Sequence, residues 1–359
     1  YEIVVSDWSS DVCSSDLMGE PRNFYDAWNH PNTNDRDSWQ SAIKKELTDM
    51  TKQGVWEIIN KSAVPEECAL IGNEWVFKQK KNGIYRARLV ALGYSQVPGV
   101  DFSENYAPVV NDITMQLMLV LSQNYGWLSE TIDVETAFLY GDLNEEIYMT
   151  IPNGLEEFLN HDLKNKCVKL KKSIYGLVQA AREWWKKFTK SLKNIGFERC
   201  DADNCLMMRR DGDGVTILCI YVDDVCCYGD RDAIEKTIRQ IEKIYSIKRI
   251  GELSEFIGVN IKKRHDGAYE FTQRALIDAI IDDVRIGDSY TKPVPAKVTL
   301  QLHAFRDSPK FQGNFNYRSA VGKLNYLGQT TRPDIMYAVH QVAKYSADPR
   351  QEHGEAIVY

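Results

Sequence analysis

The stretch LCIYVDDVCCYGD, Leu218 to Asp230, decides how the rest of the chain is read. With the residues before it, it forms VTILCIYV (215–222), a nearly continuous apolar run of the kind that suits a strand buried on both faces. Asp223 and Asp224 interrupt the run, and DVCCYGD then resumes it. The chain must turn at this pair, which puts both carboxylates at the tip of a tight hairpin in the middle of a sheet. Burying ionised carboxylates costs on the order of several kcal/mol unless something positive meets them. Aspartates that serve only a turn usually sit among polar neighbours, and these do not.

The bulk properties bound the answer. The 359 residues are enough for a sizeable core and for two or three subdomains. A hydrophobic content of 43% and a charged content of 26% are those of a soluble globular protein. No run of eighteen apolar residues is present, so no membrane-spanning helix is expected. The net charge of −7 argues mildly against a nucleic-acid binder, yet leaves room for a local basic cleft. The eight cysteines are scattered, without the paired spacing of a structural zinc site, and point to a reduced, intracellular protein. Residues 1–20 carry a near-repeat of Ser and Asp with no amphipathic period, and are read as a disordered or non-native lead.

Periodicity places the other elements. Trp39, Ile43, Leu47 and Met50 recur at helical spacing, as do the apolar residues of 113–127. VWEII (55–59) and NEWVFKQK (73–80) read as strands. The turn signal KNG (81–83) then leads into IYRARLVALGYSQ (84–96), whose Arg86 and Arg88 share one face. LSETIDV (128–134) and EIYMTIP (146–152) read as further strands. The basic stretch from Lys164 to Phe197 has helical spacing in its second half, at Ala180, Trp184, Phe188 and Leu192. A hairpin turning at DGDG (211–214) and an amphipathic helix over 234–247 complete the pattern.

A pair of carboxylates needs a third, and LSETIDV supplies Asp133 near its C-terminal end. Like charges packed together repel, and a divalent cation relieves them. Hard oxygen ligands select magnesium, with manganese as the alternative, and two such ions suit in-line phosphoryl displacement. YVDD, with ETIDVETAFLYGDLNEEIYM ninety residues earlier (223 − 133), resembles the reverse transcriptase domain of copia-type retrotransposon polyproteins. The segments WVFKQKKNGIYRARLVALGYSQVPGVDFSENYAPVV, KKSIYGLVQAAREWWKKF, IGELSEFIGVNI and YRSAVGKLNYLGQTTRPDIMYAV extend the likeness, in the family's order, over residues 39 to 355.

The resemblance implies an α+β, right-hand polymerase with fingers, palm and partial thumb, its antiparallel palm sheet backed by helices. Residues 21–127 would hold the N-terminal and fingers region, 128–262 the palm with the remaining fingers elements, and 263–359 the thumb or connection. It implies an RNA-directed DNA polymerase in which Asp133, Asp223 and Asp224 are the catalytic, metal-binding carboxylates. Phe138 would lie beneath the incoming sugar, where a bulky ring excludes a 2′-hydroxyl. Arg86 and Arg88, with Lys78 and Lys81 as weaker candidates, would lie over the triphosphate. Gln179 and Arg182 would contact nucleotide and template, and Tyr221 precedes the acids. Lys248 would be the general acid for the leaving pyrophosphate. Trp184 and Trp185 read as core. The lysines between Lys164 and Lys193 would follow a duplex backbone.

Ala181, where the family usually has proline, and Glu183, where it has a small residue, depart from the pattern. The implied partners are an RNA template, a DNA primer–template duplex, deoxynucleoside triphosphates, and the integrase and ribonuclease H of the Pol polyprotein. A cytoplasmic, virus-like-particle location and no membrane go with them. The chain stops at HGEAIVY, where the family continues into ribonuclease H, so a polyprotein fragment is expected. The alternative reading is a catalytically decayed fragment that at most binds nucleic acid.

Overall fold

The computed structural model describes residues 20–80, 83–287, 289–297, 302–304 and 307–359. The Ser/Asp-rich lead up to residue 19, with Cys13, and Lys81 lie outside them. Two compact units emerge, with described parts 20–252 and 253–359. The boundary falls at 252/253, ahead of the palm limit at residue 262 expected from sequence, because the strands that follow pair only among themselves.

In the first unit, helices α1 (Phe24–Trp28) and α2 (Thr33–Gln53) precede strands β1 (Trp56–Asn60), β2 (Leu70–Ile71), β3 (Asn73–Gln79) and β4 (Tyr85–Ala91). The Asn32 side chain accepts from the amides of Asn34 and Asp35 to start α2, and Gly54, at φ 64°, ends it. The predicted stripe of Trp39, Ile43, Leu47 and Met50 is buried. β3 and β4 form a separate two-stranded hairpin. Trp75, Phe77, Ala87 and Leu89 bury one of its faces, which leaves Val76, Lys78, Arg86 and Arg88 on the other.

Next come α3 (Asp112–Tyr125), β5 (Leu128–Val134), β6 (Asp142–Met149), α4 (Leu155–Leu159), β7 (Lys166–Lys172) and α5 (Ala180–Asn194). The unit closes with β8 (Glu198–Arg199), β9 (Leu206–Asp211), β10 (Gly214–Tyr221), β11 (Asp224–Gly229), α6 (Arg231–Glu242) and β12 (Ile247–Gly251). One four-stranded sheet runs β1-β7-β6-β2. The sheet that matters here is six-stranded, in the order β12-β5-β11-β10-β9-β8, and every pairing in it is antiparallel. Six of the eight residues of β10 are buried, as its unbroken apolar run requires.

The second unit has a three-stranded sheet, β13 (Glu255–Phe256), β14 (Val259–Lys263) and β15 (Tyr269–Thr272), and helices α7 (Arg274–Val284), α8 (Tyr317–Thr330), α9 (Met336–Ala343) and α10 (Gln351–Val358). Ile280, Val284, Ala320 and Leu327 form the core between α7 and α8. Cysteines 68, 167, 200, 205, 219, 226 and 227 form no disulfide. No helix among the described residues is long and apolar enough to cross a membrane.

Two buried carboxylates hold the first unit together in opposite ways. Asp203, ahead of β9, accepts from the Asn111 amide (3.1 Å), the Asn111 side-chain amide (3.3 Å), the Thr114 hydroxyl (2.7 Å) and the Cys205 amide (2.9 Å). It thereby caps α3 from a distant part of the chain, since Asn111 itself makes no side-chain cap. Burial alone would raise its pKa, but these donors outweigh burial and hold it below the ordinary value. Glu46 on α2 accepts from the Leu89 amide (3.4 Å), along the edge of β4 that β3 leaves uncovered. Burial pushes its pKa up to about 7, against the pull of the Leu89 amide and Arg88; Asp49 adds to the rise and Arg86 opposes it.

The two shifts predict opposite pH behaviour. A depressed pKa gives stability that is present above the unfolded value and lost as pH falls through the folded one. Asp203→Asn should therefore cost about 1–2 kcal/mol at pH 7, with the gap to wild type narrowing below about pH 4 in urea titrations. A raised pKa gives stability that is lost as pH rises through about 7. Glu46→Gln should match wild type at pH 5 and exceed it at pH 9 by on the order of 2 kcal/mol. Equal gaps at both pH values would refute the assignment.

Candidate functional site

The register of the six-stranded sheet builds the site. Tyr221 pairs with Asp224 across the β10–β11 hairpin, Asp224 pairs with Asp133 across β11–β5, and Asp133 pairs with Lys248 across β5–β12. Residues directly opposite in an antiparallel ladder project to the same face. Tyr221, Asp224, Asp133 and Lys248 therefore form one row across four strands. The adjacent row, Ile220, Val225 and Ile132, is buried on the opposite face. The two aspartates and Tyr221 are half-buried, while Lys248 is exposed.

Val222 and Asp223 form the two-residue turn that joins β10 to β11. Val222 has φ 53°, a left-handed conformation that costs a β-branched residue about 1–2 kcal/mol. Both turn carbonyls are held. The Trp184 Nε1–H of α5 donates to the Val222 oxygen at 2.7 Å, and the Val134 amide donates to the Asp223 oxygen at 2.9 Å. The second bond ties the tip to the residue that follows Asp133.

Opposed carboxylates on neighbouring strands repel, and Lys248 on the far side of Asp133 offsets part of that repulsion. The donors are carboxylate oxygens, which suit a hard divalent cation. No three His, Cys, Asp or Glu side chains among the described residues are gathered closely enough to hold an ion by themselves. The donor set fits a hard divalent cation that takes one or two carboxylates and completes its shell with other oxygen donors. Burial raises the Tyr221 pKa first, with Asp112, Asp224 and Asp223 adding to the rise, so its hydroxyl stays protonated at neutral pH.

The other candidates fall into smaller groups. Phe138 lies in a short 3-10 helix, Ala137–Tyr140, four to seven residues beyond Asp133. It is buried, its carbonyl accepts from the Ser173 hydroxyl, and its ring meets the edge of Tyr175 at 4.9 Å. The Arg88 guanidinium lies 4.6 Å from the Tyr175 ring centre, so Tyr175 is in contact with both Arg88 and Phe138. Arg86 stands directly opposite Lys78, and Lys78 is 3.9 Å from Glu20.

Gln179 is buried. Its side-chain oxygen accepts from Gln96 (3.0 Å) and its nitrogen donates to the Asp101 carbonyl (2.9 Å). It clasps the loop of residues 93–101 to the start of α5. Arg182 donates to the Tyr106 carbonyl (2.8 Å) and pairs with Glu104. On α5, Lys186 pairs with Glu183 and Lys187 with Asp142. Sequence reasoning missed the hydrogen bond of Trp184, the clasp partners Gln96 and Asp101, and Tyr175. Helical spacing marked Trp184 as core, but spacing cannot show where an indole N–H finds its acceptor.

Comparison with known proteins gives a consistent picture. Residues 53–298 match the family described as reverse transcriptase (RNA-dependent DNA polymerase). The chain is 32% identical over 353 residues to the retrovirus-related Pol polyprotein from transposon TNT 1-94 of Nicotiana tabacum, covering 94% of this chain and 26% of that protein. It is 31% identical over 326 residues to the corresponding polyprotein from transposon RE1 of Arabidopsis thaliana, covering 89% of this chain and 22% of the relative. A putative transposon Ty5-1 protein of Saccharomyces cerevisiae is 30% identical over 63% of this chain and 72% of its own length. The chain thus spans about a quarter of the two plant polyproteins. A solved foamy viral protease–reverse transcriptase in complex with double-stranded DNA aligns with a TM-score of 0.41 and 14% identity, covering 97% of this chain and 50% of that one.

Proposed function

We propose, from the premise that the chain belongs to the reverse transcriptase (RNA-dependent DNA polymerase) family, that it extends a DNA primer on an RNA or DNA template. The observation that carries this reading is the register that sets Asp133 opposite Asp224 at the tip of the Tyr-Val-Asp-Asp hairpin. The plant relatives are Pol polyproteins of transposons, which supports a retrotransposon origin of the copia type.

Asp133, Asp223 and Asp224 would hold the divalent ions, magnesium with manganese as a substitute, two per site. Bound there, such ions lower the pKa of the primer 3′-hydroxyl and neutralise charge on the leaving pyrophosphate. The protein's own part is placement: the ladder and the two held turn carbonyls keep the acids at fixed positions, so little reorganisation accompanies reaction. Lys248, opposite Asp133, would balance charge and donate a proton to the leaving group. Arg86, Arg88 and Lys78 form a basic face suited to a triphosphate. Buried Gln179 would act by shaping the pocket through its clasp, and Arg182 by holding the chain near Tyr106. Phe138 would exclude ribonucleotides by its bulk. The basic face of α5 would follow the duplex. Assembly with integrase and ribonuclease H, in a cytoplasmic particle, belongs to the same proposal.

Two experiments test it. Asp223→Asn should abolish primer extension on an RNA template with magnesium, by on the order of a thousandfold, with an unchanged thermal midpoint; retained extension would move the site elsewhere. No product from folded wild-type protein would instead favour a chain that only binds nucleic acid. Phe138→Ala should raise incorporation of ribonucleotides relative to deoxynucleotides at least about tenfold in single-nucleotide assays, and an unchanged ratio would remove the gate.

A further inference from the structure

The turn that carries the acids contains a conformational conflict. Two-residue hairpins place Gly, Asn or Asp where φ is positive, because a branched side chain crowds the backbone there. This hairpin has Val222 at φ 53°, buried and with no glycine beside it. A residue in that conformation persists only where its surroundings over-determine it. Those surroundings are specific: the Trp184 indole donates to the Val222 carbonyl at 2.7 Å, in the interior.

The donor is itself closely packed. Trp184 is 0% exposed, stacked on Phe188 at 4.9 Å and met edge-on by Tyr245 at 5.3 Å. Its backbone is also fixed. A Cβ built on Gly141 would come within 3.0 Å of the Trp184 amide nitrogen and 2.5 Å of the Ser173 hydroxyl, so the loop after the Phe138 turn lies directly against the first turn of α5. One rigid ring therefore joins that helix to the hairpin tip.

We propose that Trp184 is a positioning residue of the polymerase: its indole N–H fixes the Val222 carbonyl in the turn and so sets where the Asp223 carboxylate stands for metal binding. This rests on the polymerase reading above. Without the donor, the Val222 carbonyl loses this bond while the Asp223 carbonyl remains tied to Val134. The ladder persists and keeps Asp133 and Asp224 in register, so the loss falls on the turn residue Asp223.

Trp184→Phe removes the donor. A second variant, with 3-benzothienylalanine at position 184, keeps the ring's shape and volume while replacing N–H by sulfur, so it retains the fold should the phenylalanine variant fail. Primer extension is measured per active molecule, and Mn²⁺ binding to the free protein is followed by electron paramagnetic resonance. Both variants should lose roughly fivefold or more in kcat and bind Mn²⁺ more weakly by a similar factor, with the KM for deoxynucleotide within about twofold of wild type. Wild-type Mn²⁺ affinity in the folded benzothienyl variant, or losses that follow the folded fraction alone, would overturn the proposal. Absence of extension by wild type would overturn the polymerase reading instead, and the Mn²⁺ titration would still decide the role of Trp184.

Discussion

Asp133 and Asp224 face each other across two hydrogen-bonded strands, and the rest of the first unit is organised around that opposition. Two carboxylates so placed repel, and a flexible chain would separate them. They stay because their backbones belong to a ladder with strands on both sides: β11 is covered by β10, and β5 by β12. The buried residues Ile132, Val225 and Ile220 sit directly behind them and anchor the strands in the core. Repulsion is thus held against hydrophobic burial, which is the arrangement that makes a cation welcome.

The supports around the acids are chiefly polar contacts to backbone. Trp184 holds one turn carbonyl and Val134 the other; Asp203 holds the start of α3; Gln179 and Gln96 hold the start of α5. Each joins segments far apart in sequence. Rigidity at a site that neutralises charge limits the reorganisation needed when charge develops.

Much of this was legible from local pattern. LSETIDV marks β5 with its true limits, Leu128–Val134, because alternation and flanking turns bound it on both sides. The run VTILCIYV gave β10 and its turn. Other limits were hidden for physical reasons. β6 starts at Asp142, four residues before the expected Glu146: Asp142 pairs with Lys172 of β7 ahead of a register irregularity that ends at Ile147, and such an irregular pairing leaves no simple alternation to read. α2 starts at Thr33, well ahead of Trp39, under an Asn32 cap that precedes any apolar residue. The clasp that buries Gln179 depends on a loop about eighty residues away, which local pattern around Gln179 does not show. Residues 253–262 were grouped with the sheet before them; β13 and β14 pair with each other, and β14 with β15 downstream.

The order of strands in that sheet also bears on how the protein emerges from the ribosome. β5 is made first, yet both its neighbours, β11 and β12, lie at 224–229 and 247–251. Until about a hundred further residues have been added, both edges of β5 remain uncovered, and non-local pairing of this kind is slow to form. The nascent chain therefore carries a strand with open hydrogen-bonding edges while those residues are added, the state in which chaperone capture and misassembly compete with folding.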